Sequence, residues 1–111
     1  MPHIIVEHSE DLSLDIPELL QALHMDLSTK DTIDINTIKT RSIPLKHAYV
    51  GPAPFEAKMI HIEVKLLPGR PDELKEKMSR GLHEVAQIFV NGQNVNISVE
   101  IQELHKESYI Q

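Results

Sequence analysis

A chain of 111 residues with 41% hydrophobic and 25% charged side chains has the size and composition of one globular domain. Its net charge of -6 argues against nucleic acid as a partner, and any anionic ligand must be held by a few local cations against an unfavourable overall field. The lack of cysteine excludes disulfides, thiolate catalysis and thiolate metal sites, and no stretch approaches the ~20 apolar residues of a membrane span.

Residues 3–8 read as a first strand, with Ile4-Ile5-Val6 as its apolar β-branched run. A polar link over 9–14 leads to Asp15-Ile16-Pro17-Glu18, a helix start with Asp15 as N-cap, Pro17 in the first turn and Glu18 closing a capping box. Ile16, Leu19, Leu20, Leu23 and Leu27 then recur at helical spacing, and the pattern fades over 28–31. Residues 38–50 read as extended, and Pro44 within them points to an edge position or a bulge. Gly51-Pro52-Ala53-Pro54 is a breaker between two halves of a single domain spanning 1–111, about 1–50 and 55–111. From Met59 to Leu67, Ile60, Ile62, Val64 and Leu66 alternate with His61, Glu63 and Lys65, the pattern of a half-buried strand. Pro68-Gly69-Arg70-Pro71-Asp72-Glu73 turns into a second helix with Pro71 at its first position and acids in its first turn. Leu74, Met78, Leu82, Val85 and Phe89 form its apolar stripe, Glu73/Lys77 and Glu76/Arg80 are spaced for ion pairs, and Gly92 suits its end. Val95, Ile97, Val99 and Ile101 alternate with polar residues in a fourth strand.

The order is β-α-β, a break, then β-α-β. Crossovers of this length favour parallel, right-handed pairing. The expected fold is α/β (α+β): a duplicated β-α-β unit forming a four-stranded mixed sheet with two helices on one face. No element remains to cover the other face, so part of it is expected to meet other subunits.

The chemistry starts at Pro2. Removing Met1 would leave a terminal proline, a secondary amine with a basic lone pair. Carried into the interior by the strand that follows, that amine would lose basicity through burial and through any nearby cation. It would then serve as a general base near neutral pH. The plainer reading is that proline after methionine only permits trimming. Of the three arginines, Arg80 reads as a surface pair on a helix, Arg70 sits in a strand-to-helix turn, and Arg41 is either a carboxylate ligand or a surface cation. The seven histidines show no metal-binding spacing, so no metal site is expected. His3 neighbours the amine and either orients it or meets a neighbouring subunit.

Met1-Pro2-His3-Ile4-Ile5-Val6-Glu7, the duplication, Leu67-Pro68-Gly69-Arg70 and Glu103-Leu104-His105 together resemble the tautomerase superfamily, and within it the 5-carboxymethyl-2-hydroxymuconate isomerases. The second half alone is similar to the short 4-oxalocrotonate tautomerase subunit. The resemblance implies a β-α-β pair assembled as a homotrimer, with catalysis that uses no metal and no cofactor. It also implies an N-terminal proline that shuttles a proton between carbons of an unsaturated 2-hydroxy or 2-oxo acid. On this chain Pro2 matches the base and Arg70 matches an arginine that binds a substrate carboxylate. Ile38-Lys39-Thr40-Arg41 matches an Ile-Arg-Ser-Arg stretch, with Lys39 lacking the forked donors of arginine. Tyr109 falls near an aromatic that lines the pocket.

The expected function is therefore isomerisation of small unsaturated di- or tricarboxylates in the degradation of aromatic compounds, in the cytoplasm, with Pro2 as base. Lys39, Arg41, Arg70, Tyr109 and His3 are the candidate substrate-binding residues. A tautomerase of another enol, such as a phenylpyruvate-like one, and a non-catalytic trimeric binding protein are the alternatives. The expected partners are a small carboxylate and two further copies of the chain, with no nucleic acid and no membrane.

Overall fold

Apolar alternation marks the strands in the second half of the chain, and helical periodicity builds the two helices that cover the sheet. The computed structural model describes residues 2–52 and 57–111. Its elements are β1 (His3–Ser9), α1 (Ile16–Ser28), a 3₁₀ turn (Ile35–Thr37), β2 (Lys39–Leu45), β3 (Lys58–Leu66), α2 (Asp72–Val90) and β4 (Val95–Glu103). The strand order is β2-β1-β3-β4. Each β-α-β half supplies a parallel pair, and the antiparallel β1–β3 pair joins the halves.

Ile4 and Val6 of β1 and Ile60, Ile62, Val64 and Leu66 of β3 point into the helix layer and are buried. Leu19, Leu23 and Leu27 of α1 and Met78, Leu82, Ala86 and Val90 of α2 close over them. Truncating a residue such as Leu23 to alanine would cost about 2–5 kcal/mol. Val95, Ile97, Val99 and Ile101 of β4 are only partly buried, because β4 is an edge strand. The helices touch at Gly81, where an added Cβ would lie 2.5 Å from the Asp26 carboxylate. A bare backbone there leaves room for the Asp26–Lys30 ion pair.

Several local expectations shift. Asp15 does cap α1, accepting the Glu18 amide at 3.0 Å. Helix α2 starts one residue later than the proline pattern suggests: Pro71 is its N-cap, and the Pro71 carbonyl accepts the first helical bonds from Leu74 and Lys75. The paired cations of α2 are Arg80, with Glu76, and Lys75, with Asp72 and Glu103, rather than Lys77 with Glu73. The extended segment expected over 38–50 pairs only as far as Leu45. Its Pro44 lies on an edge strand, where a missing N–H leaves no neighbouring strand short of a donor. Of the break at Gly51-Pro52-Ala53-Pro54, Ala53 and Pro54 lie outside the described residues, as does Met1.

Candidate active site

The strand termini bring one set of residues to one end of the sheet. The Lys39 amide donates to the Pro2 carbonyl at 3.0 Å, and the Leu104 amide donates to the Leu66 carbonyl at 2.7 Å. Pro2, the start of β2 and the ends of β3 and β4 therefore meet there. Pro2 is buried.

On the face away from the helices, register decides which side chains are neighbours. His3 stands opposite Lys39 on one side and Lys65 on the other, and Arg41 is two residues along from Lys39. The chain returns to this group through its C-terminal turn, where the Tyr109 amide donates to the His105 carbonyl at 3.1 Å. The Tyr109 ring then meets His3 edge-on, with centroids 5.8 Å apart and planes at 76°. The Tyr109 hydroxyl lies 2.7 Å from His3 Nε2, and Arg41 Nη1 lies 3.1 Å from His3 Nδ1. Partial burial, then the charges of Arg41, Lys39 and Lys65, hold His3 below the ordinary imidazole value.

Arg70 leaves β3 through Pro68 and Gly69. Gly69 has φ of +119°, a conformation that only glycine adopts without strain. The Arg70 fork is bound to the loop after α1. Its Nε donates to Thr32 Oγ1 at 2.9 Å and Nη2 to the Thr32 carbonyl at 3.4 Å, while Nη1 donates to the Leu67 carbonyl at 3.2 Å. Thr32 itself has φ of +68°, costly for a β-branched residue. Arg80 is instead an exposed cation bonded to Glu76, as its spacing suggested.

Pro2, His3, Lys39, Arg41 and Tyr109 are thus brought together, with Arg70 at the same end of the sheet but tied to a separate loop. Lys65 and Thr32 were missed by sequence reading. Alternation put Lys65 on the outward face but carried no sign of its register against His3, and nothing in the sequence marked Thr32. Further along the same face the charge reverses. His61 Nδ1 lies 2.6 Å from Ser98 Oγ and His61 Nε2 lies 2.9 Å from Glu100, beside Glu63. Among the described residues no group of His, Cys, Asp and Glu could hold a metal ion, and no helix is long and apolar enough to cross a membrane. A cavity of about 490 Å³ lies at the opposite end of the sheet, lined by Ser9, Leu45, Tyr49 and Lys58 among others, and includes none of the residues around Pro2.

A duplicated β-α-β unit with a proline at the head of its first central strand, set among cations, has the tautomerase fold. The family model described as 5-carboxymethyl-2-hydroxymuconate isomerase matches residues 2–111, and the chain belongs to that family of isomerases. Among solved structures it is similar to a 5-carboxymethyl-2-hydroxymuconate isomerase from Deinococcus radiodurans R1, at 23% identity and a TM-score of 0.89, covering 99% of this chain and 87% of that one. It is also similar to a wild-type symmetric trimer of fused 4-OT, at 16% identity and a TM-score of 0.83, covering 98% of this chain and 93% of that one. A macrophage migration inhibitory factor-like protein from Entamoeba histolytica aligns at 18% identity and a TM-score of 0.78, covering 99% of this chain and 94% of that one. No curated protein sequence matches significantly.

Proposed function

We propose that this isomerase interconverts the enol and keto forms of unsaturated 2-hydroxy and 2-oxo di- or tricarboxylates of the 5-carboxymethyl-2-hydroxymuconate type, with Pro2 as general base. The Pro2 amine, freed of Met1, takes a proton from one carbon of the substrate. The released electron pair moves into the conjugated system and onto the 2-oxygen. The pyrrolidinium then returns the proton to another carbon, so no oxidant, metal or cofactor enters the balance. The observation that carries this reading is a buried proline whose next residue, His3, stands among the cations Lys39, Arg41 and Lys65. Burial and positive charge both penalise the ammonium form, which frees the lone pair near neutral pH.

The number of cations favours substrates with more than one carboxylate over a phenylpyruvate-like enol. Lys39 and Arg41 fit one carboxylate, and Arg70, held rigid by Thr32, fits another. The assembly in this reading is a homotrimer acting in the cytoplasm, in breakdown of aromatic compounds. Two features support a ring of copies. The sheet face opposite the helices is uncovered and carries Ile5 and Ile43, the latter 46% exposed. The two edges of that face also differ in charge: Lys39 and Arg41 lie on β2, and Glu100 on β4. Head-to-tail contact of unlike edges gives a ring when the rotation between copies closes, as a three-fold rotation does.

The test is turnover of 2-hydroxymuconate, followed by loss of its dienol absorbance, in protein freed of Met1 and without added metal. Turnover is expected. Binding without turnover would favour the non-catalytic binding protein instead.

A further inference from the structure

We propose that Tyr109 donates a hydrogen bond to the substrate's 2-oxygen as negative charge develops there, and that the Arg41–His3 pair fixes the direction of that bond. This deepens the isomerase reading above and rests on it for the identity of the substrate.

A guanidinium has five N–H donors and no acceptor. With Arg41 Nη1 at 3.1 Å, His3 Nδ1 must therefore be the accepting nitrogen. A neutral imidazole that accepts at Nδ1 carries its proton on Nε2. That N–H then donates to the Tyr109 oxygen 2.7 Å away. The polarity of the whole chain follows from one permanent cation: Arg41 to His3, His3 to Tyr109. Tyr109 accepts through its oxygen and keeps its own proton. Among the described residues no side chain accepts that proton, so it is available to a ligand. A donor that has already accepted a bond is polarised and donates more strongly.

The position suits the task. His3 is covalently next to Pro2, and Tyr109 reaches it from the far end of the chain with its ring edge-on and only partly exposed. Removing a proton from carbon places charge on the 2-oxygen. That oxygen is the point at which a preorganised donor has most effect on the barrier. The low basicity of His3 agrees with this arrangement, since a protonated imidazole has no acceptor to offer Arg41.

Oxalate is a stable probe, because it sets an anionic oxygen beside a carboxylate as the enolate does, and acetate lacks that oxygen. Titration of oxalate into the Met1-free protein is expected to show about tenfold weaker binding to Tyr109→Phe than to the wild type, with acetate unchanged. His3→Leu should lose the same factor. His3→Gln keeps an N–H near the Nε2 position and should recover most of it, which a merely structural histidine would not produce. In turnover of 2-hydroxymuconate, Tyr109→Phe should lower kcat about 100-fold and leave KM nearly unchanged. Nitrogen-15 NMR should find His3 protonated at Nε2. Equal oxalate affinity in wild type and Tyr109→Phe, or a His3 proton on Nδ1, overturns the inference. Oxalate discrimination without turnover in the wild type would remove the proposed reaction and leave Tyr109 as the oxyanion donor of a binding site.

Discussion

Arg70 Nε donates to Thr32 Oγ1 at 2.9 Å, which pins a guanidinium at the Pro2 end of the sheet before any ligand arrives. Positioning of this kind lowers the ordering cost of binding a carboxylate. Arg80 makes its bonds to Glu76 on a solvated helix face, with 73% of its side chain exposed. Arg70→Ala is therefore expected to lower kcat/KM roughly 10- to 100-fold, the equivalent of about 1.5–3 kcal/mol for a charge-assisted contact. Arg80→Ala removes a surface pair worth about 0.3–0.5 kcal/mol and should leave the rate nearly unchanged. Arg41→Ala should lower kcat/KM at least as much as Arg70→Ala, because it removes both a carboxylate contact and the cation that orients His3 towards Tyr109. Steady-state kinetics of the three variants checks the order, and equal small losses would reduce Arg70 to a loop cation.

Thr32 links that anchor to backbone strain. Its φ of +68° is unfavourable for a β-branched residue, by about 1–2 kcal/mol. Thr32→Gly relieves the strain, but it loses the Oγ1 acceptor and adds about 0.5–1 kcal/mol of backbone entropy. These effects nearly cancel. The expected result is a Tm within ~5 °C of the wild type together with a kcat/KM lowered about tenfold. A variant with unchanged kcat/KM would show that Arg70 needs no support from this loop.

His3 gives a pH dependence whose sign is fixed. Its folded-state pKa lies below the ordinary 6.5, chiefly through burial and then through Arg41. As pH falls the unfolded chain takes up this proton first. The stability associated with neutral His3 is therefore complete above about 6.5 and declines as pH drops from there towards the folded value. Denaturation at pH 7 and pH 5 should show a smaller acid loss in His3→Gln than in the wild type. An NMR titration should place His3 below 6.5 and move it upward in Arg41→Met.

Much of this arrangement was legible in advance, for local reasons. Alternation in Ile60-His61-Ile62-Glu63-Val64 and periodicity in Leu19, Leu23 and Leu27 are properties of short segments, so the elements and their order followed directly. Pro44 pointed to an edge strand or a bulge, and the edge is where it lies, since a missing N–H is tolerated there. The site was legible only as separate residues. His3 and Tyr109 are 106 positions apart, and their contact depends on how the C-terminal turn folds back. Lys65 faces His3 because of the β1–β3 register, which no local pattern encodes. The left-handed backbone of Thr32 had no sequence signal, since threonine is a poor choice for it.

Assembly is checked by sedimentation. The uncovered face and the unlike edges lead us to expect a stable trimer at micromolar concentration. Charge reversal on one edge, Lys39→Glu with Arg41→Glu, should weaken it, and adding Glu100→Lys should restore it in part. A stable monomer would mean that the sheet face meets solvent.

The central claim is that a free Pro2 amine is the base. Intact mass and activity measured on the same preparations test it most directly. Activity should scale with the fraction of chains that have lost Met1, and in those chains it should rise with pH along a single ionisation lying below that of an unperturbed proline amine. Pro2→Ala, which leaves a primary amine at the terminus, should retain part of the rate. Full activity in a preparation whose every chain still carries Met1 would contradict the account.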